Sequence, residues 1–234
     1  MARVGSPATQ ALRKEAGRMS RTVVILLALV AGWIDAGSFV GLHHIMAAHI
    51  TGNLVILAAD ISDGFHETDL LKILILPIFF VAVMALTVVH DRYVALYDDS
   101  ARHIRSMLAI EALLIAGTGV LGLIASLNGW ALGFWLALAI ATPVTLGMAL
   151  QNAIHRFYPI VGPATTVMTG NITQFFIDRT RGMAGHASRS LINDMPKDKS
   201  LLPILILAFG LGCAMGAAAT KQVGNGAFLV PAAL

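Results

Sequence analysis

The chain has one cysteine, eight prolines and three tyrosines among its 234 residues, and only 12% of it is charged. A soluble domain carries about 25% charged residues, so this chain falls well short of what an aqueous surface needs. The single cysteine, Cys213, excludes an internal disulfide and any multi-cysteine metal site. No Walker loop, HExxH, CxxC pair or GxSxG occurs, so nothing supports ATP hydrolysis, a zinc centre or acyl transfer. The sequence predicts no enzyme, no catalytic residues, no metal and no cofactor. The formal charge of +3 does not point to nucleic acid, because the basic residues stand in loops beside apolar runs, where they set topology.

What is present is hydrocarbon. Hydrophobic residues make up 57% of the chain and its mean hydropathy is +0.77. The expected fold class is therefore all-α, a polytopic membrane helix bundle, with the lipid bilayer as its first partner. Apolar runs of helix length fall at 22–42, 71–91, 106–127, 130–150 and 201–220. Each is long enough to cross a hydrocarbon core of ~30 Å. Residues 1–21 hold five Lys or Arg, and the run after them is too long for a signal peptide. They are read as a cytoplasmic basic N-terminus ahead of an uncleaved first helix.

Two further apolar segments carry the same tripeptide, Thr51-Gly52-Asn53 and Thr169-Gly170-Asn171. A polar, helix-weakening triplet is costly in lipid, because each freed backbone group needs a partner. Asp35-Ala36 precedes the first triplet as Asn152-Ala153 precedes the second, and a Leu-Pro-Ile follows each, at Leu76-Pro77-Ile78 and Leu202-Pro203-Ile204. This predicts an internal repeat: membrane repeat 1 at 22–92, a connecting loop and extra helix at 93–127, membrane repeat 2 at 128–221 and a C-terminal tail at 222–234. Each Leu-Pro-Ile is expected to open a helix.

The count of membrane segments is five to seven, two of them interrupted or re-entrant. Loop charge favours five crossings. If the triplet segments enter and return on one side, every one of the 16 Lys and Arg except Lys72 and Lys221 lies on the N-terminal, cytoplasmic side. The acidic loop of Asp60, Asp63, Glu67 and Asp69 then lies outside. With five crossings the two repeats are inverted, and one triplet dips from each face, as in transporters built from broken helices.

Asp35 is the outstanding acid, 14 residues past Arg21 along the first apolar run. At ~1.5 Å per residue this depth is ~20 Å, past mid-membrane. A carboxylate there binds a cation, exchanges a proton or hydrogen-bonds a neighbouring helix. The functional set is Asp35, His49, Thr51, Gly52, Asn53, Gln151, Asn152, Thr169, Gly170 and Asn171. His49 is placed to shuttle protons beside the first triplet. In each triplet Gly permits a break, while Thr and Asn supply partners for freed backbone or for a ligand. The alternative for every one of these residues is structural: polar side chains also glue membrane helices together. Glu111 is expected near the interface, with its carboxyl snorkelling. Gly37-x-x-x-Gly41, Gly129-x-x-x-Gly133 and Gly212-x-x-x-Gly216 predict close helix contacts and leave room for a homo-oligomer.

Ala31-Gly32-Trp33-Ile34-Asp35-Ala36, His49-Ile50-Thr51-Gly52-Asn53, Gly147-Met148-Ala149-Leu150-Gln151-Asn152-Ala153 and Thr165-Thr166-Val167-Met168-Thr169-Gly170 together resemble the YoaK-type family, uncharacterised bacterial inner-membrane proteins. The match runs from 22 to 220. It implies about six membrane segments, a location in the cell inner membrane and a role in transport, and it supplies no substrate. The expected function is a transporter or permease for an unknown small solute, with proton coupling and a site near the midplane. Two alternatives stand beside it: an aquaporin-like passive channel, and a non-transporting scaffold or accessory subunit. His-Ile-Thr-Gly-Asn is similar to the His-Ile-Asn-Pro-Ala loops of aquaporin-type channels, without their proline.

Overall fold

A computed structural model describes residues 19–97, 99–158, 164–166, 169–183 and 201–234, apart from the side chains of 171, 174, 178, 182 and 183. Every regular element among the described residues is a helix: α1 Arg21–Gly41, α2 Gly52–Ser62, α3 Asp69–Leu96, α4 Ser100–Leu127, α5 Phe134–Phe157, α6 Thr169–Met183 and α7 Leu201–Val223. A 3-10 turn, Gly224–Phe228, and a final helical turn, α8 Leu229–Ala232, complete the chain. Ser20 caps α1 by accepting the Val23 amide, and Asp99 caps α4 by accepting that of Arg102.

Five of these helices, α1, α3, α4, α5 and the run from α7 to Ala232, are long and apolar enough to cross a membrane. The chain is a multi-pass membrane protein by this measure. The 11 residues of α2 extend only ~16 Å, about half a hydrocarbon core. The 15-residue α6 is longer but much more polar.

The tightest contact joins α1 to α7. A Cβ on Gly32 would collide with the Phe209 carbonyl, and one on Gly212 or Gly216 with the carbonyls of Leu29 or Trp33. Only glycine lets the two backbones approach this closely. The Gly212–Gly216 spacing thus marks a helix contact, as its sequence predicts. Gly37 and Gly41 instead face Thr220, Asn225 and Phe228, where the chain turns after α7. Gly129-x-x-x-Gly133 does not pack at all. It lies in the turn between α4 and α5, where Gly129 has φ +63° and a Cβ on either glycine would meet open space.

After α7 the C-terminal segment runs back along α4. Asn225 sits against Gly122 and Leu229 against Gly119, while Asn225 also donates to the Gly41 carbonyl at 3.1 Å. Phe228 is fully buried there.

Two other expectations need correction. Pro203 lies in the first turn of α7, but Pro77 lies inside α3, eight positions past its start. Asp69, Leu70 and the residues after them begin the helix earlier, so the two Leu-Pro-Ile sequences are not structural equivalents. Glu111 is 2% exposed, three turns into α4, and does not reach an interface.

Candidate functional site: two polar networks on one helix

α1 ends at Leu42, and His43 and His44 follow in the left-handed region at φ 51° and 62°. His43 donates through Nε2 to the Leu132 carbonyl at 2.9 Å, pinning the turn to the start of α5. The chain then runs irregularly until α2 begins at Gly52. The His44 and Ile45 amides still reach the Phe39 and Leu42 carbonyls, but those of Met46, Ala48 and His49 turn to side chains, and Leu42, Ile45, Ala47, Ala48 and Ile50 around them are buried. Buried backbone groups must be satisfied, and here side chains satisfy them.

Asp35 supplies the first set. Its Oδ1 accepts the amides of Ala48 at 2.8 Å and His49 at 3.3 Å. Its Oδ2 meets His49 Nδ1 at 2.5 Å. The two side chains share one hydrogen bond. Asp35 is 6% exposed and faces the protein, not lipid. The His49 ring also stands edge-on to Phe209 of α7, with centroids 5.5 Å apart.

Asn53 supplies the second set. Its side chain is fully buried and holds both main-chain groups of Met46, accepting the amide at 2.8 Å and donating to the carbonyl at 2.9 Å. A Cβ on Gly52 beside it would press on the Met46 sulfur, a contact that the flexible methionine side chain can relieve. Thr51 is exposed and makes no cap with its side chain. The first triplet does open a helix, but only Asn53 of the three turns its side chain inward.

A second network lies at the other end of α1. Gln151 on α5 is fully buried and donates through Nε2 to the Leu27 carbonyl at 2.8 Å and to Thr165 Oγ1 at 2.6 Å. His155 Nε2 meets the same hydroxyl at 3.0 Å. Thr166 donates to Asn152 Oδ1 at 2.8 Å, while Asn152 Nδ2 donates to the Met148 carbonyl at 2.9 Å. Asp35 to His49, Gln151 to Thr165 and Asn152 to Thr166 are all separated by 14 residues. Both networks therefore use a polar helix end to hold the segment leading to a Thr-Gly-Asn triplet. Leu27 and Asp35, eight residues apart on α1, set the networks ~12 Å apart along that helix.

The second triplet is less engaged. Thr169 and Gly170 open α6 and are exposed, and the Asn171 side chain lies outside the described residues. The structure thus brings Asp35, His49 and Asn53 together, and Gln151 with Asn152. It adds Thr165, Thr166 and His155, which the sequence reading did not select. Their signal was available: the pair of threonines stands at the same distance from Gln151-Asn152 as Ala48-His49 does from Ile34-Asp35.

A buried charge cluster also escaped notice. Lys72 is 2% exposed, with Nζ 2.8 Å from Asp60 and 3.2 Å from Asp69. The Asp69 carboxylate further accepts the His66 amide at 2.8 Å. These contacts close the turn between α2 and α3.

No curated protein and no solved structure matches the chain. A family model matches it from residue 23 to residue 234, a span that includes both networks and all five long helices. The chain belongs to that family, described as Protein of unknown function (DUF1275).

Proposed function

We propose that this protein is a permease of the cell inner membrane for a small solute, coupled to protons through the Asp35–His49 pair. The observation that carries the reading is that pair itself: a carboxylate and an imidazole within reach of one proton, inside a membrane protein, at a break between helices. A carboxylate at such depth is expensive, and one retained there is a functional candidate by default. The matching 14-residue closures support an internal repeat, five crossings would make that repeat inverted, and the loop charge favours a cytoplasmic N-terminus. Solute would then pass between the networks on α1.

One observation favours a second reading, a scaffold that moves nothing. Asn53 spends its hydrogen bonds on Met46, and Asp35 Oδ1 on two amides, which is what purely structural residues would do. The readings separate on binding and flux. Purified protein is screened by thermal shift against a panel of metabolites, and each stabilising compound is followed into proteoliposomes. A permease gives at least one compound that both raises the melting temperature and accumulates. A scaffold gives none.

A further inference from the structure

A partly open apolar cavity lies away from the Asp35–His49 pair. A cavity of about 270 Å³ opens between α1, α4 and the C-terminal segment. Its wall is hydrocarbon, from residues such as Val23, Leu27, Leu108, Ala112 and Pro231, with one ionisable side chain, Glu111. Glu111 is almost completely buried, and its Oε2 has no hydrogen-bond partner among the described residues. Whether it carries a proton or a charge, an oxygen capable of accepting a hydrogen bond is left unused in apolar surroundings. Leaving such a group unpaired is unfavourable, and native proteins do so at few positions. Packing does not call for it either: the α4 positions around it are filled by Leu, Ala and Ile.

We infer that this cavity is a binding site for a small organic amine, an apolar body carrying one ammonium group, with Glu111 as its counter-ion. The wall chemistry selects each part of that ligand. An apolar cavity takes an apolar body, and a few fixed polar groups set its orientation. A lone carboxylate with no competing donor in the wall is matched by a cation that can also hydrogen-bond. The volume sits just below the usual range for drug-sized ligands, roughly 300–1,000 Å³, so one fused ring with a short chain is the upper size. The last torsion of a Glu side chain is soft, so either oxygen can turn to the ligand. The inference does not rest on transport or on Asp35.

The test uses the full chain in lipid nanodiscs, with tryptamine as the cation, tryptophol as its neutral counterpart and indole-3-propionate as the anion. Binding is read by calorimetric titration. Wild type is expected to bind tryptamine saturably, at least tenfold tighter than tryptophol, and to reject the propionate. Glu111→Gln should bring tryptamine to the level of tryptophol. Ala112→Phe, which fills the cavity and leaves Glu111 in place, should abolish binding of both, and it serves alone if Glu111→Gln does not insert. No saturable binding to wild type, equal binding of amine and alcohol, or full binding by Ala112→Phe would each overturn the assignment. None of these results depends on solute flux, so the permease reading stands or falls separately.

Discussion

Asn53 holds both main-chain groups of Met46, its Oδ1 taking the amide and its Nδ2 the carbonyl. The two residues are seven apart, and between them lies the irregular stretch that ends in α2. Removing the side chain leaves two part-buried backbone groups without their partners. Asn53→Ala is therefore expected to destabilise the protein by about 1–3 kcal/mol for each group left unpaired. Asn53→Asp keeps the acceptor but turns a carboxylate oxygen toward the Met46 carbonyl, and burying that charge should cost at least as much as the alanine variant. Unfolding in a graded denaturing detergent checks the order.

The α1–α7 contact predicts opposite outcomes for two glycines one turn apart or less. A methyl on Gly212 has no space against the Leu29 carbonyl, whereas one on Gly210 meets nothing. Gly212→Ala should cost about 1–3 kcal/mol, the usual price of overpacking. Gly210→Ala should be neutral or slightly stabilising, because alanine favours a helix. Melting temperatures of the two variants, measured side by side, decide it.

Lys72 gives a third expectation. Lys72→Met leaves two carboxylates facing each other, and breaking a buried pair in this way costs about 3–5 kcal/mol. Asp60→Asn should cost clearly less, since Asp60 is part-exposed and Lys72 keeps Asp69. Expression level and thermal unfolding of both variants report the difference.

The helices were legible because hydrocarbon runs of 20 residues admit few alternatives in lipid. The α-helical membrane class and the five long helices follow from that alone. Asp35, His49 and Asn53 were legible for the same reason, since a polar residue in such a run must be answered by something. What answers them was not. The Asp35 side chain turns to amides 13 and 14 residues ahead, and that choice depends on how the chain folds after Leu42. Glu111 was misjudged because its position along α4 is invisible until the helix start is known: a helix beginning at Ser100, not 106, moves it three turns deep. The pairing of Lys72 with Asp60 and Asp69 was not legible either, since it depends on how the chain turns between α2 and α3.

The five-crossing arrangement is tested by labelling single cysteines in intact cells on a Cys213→Ser background. With the N-terminus cytoplasmic, a probe at Ser62, in the exposed end of α2, should react with an impermeant reagent. A probe at Ser100, at the start of α4, should be spared until the membrane is opened. Reaction at Ser100 in sealed cells would contradict the arrangement.

The central claim is that the Asp35–His49 pair handles protons during transport, and the most direct measurement is pH-gradient-driven uptake by proteoliposomes carrying Asp35→Asn. The solute is whichever compound of the metabolite panel stabilises wild type, and flux is normalised to folded protein. Asparagine keeps the amide-accepting oxygen that holds Ala48 and His49 in place but cannot exchange a proton. The account predicts that Asp35→Asn melts within a few degrees of wild type, still binds the solute, and loses accumulation driven by the gradient. Accumulation at the wild-type rate with an unchanged pH profile would contradict it, and so would a panel from which nothing accumulates in wild type.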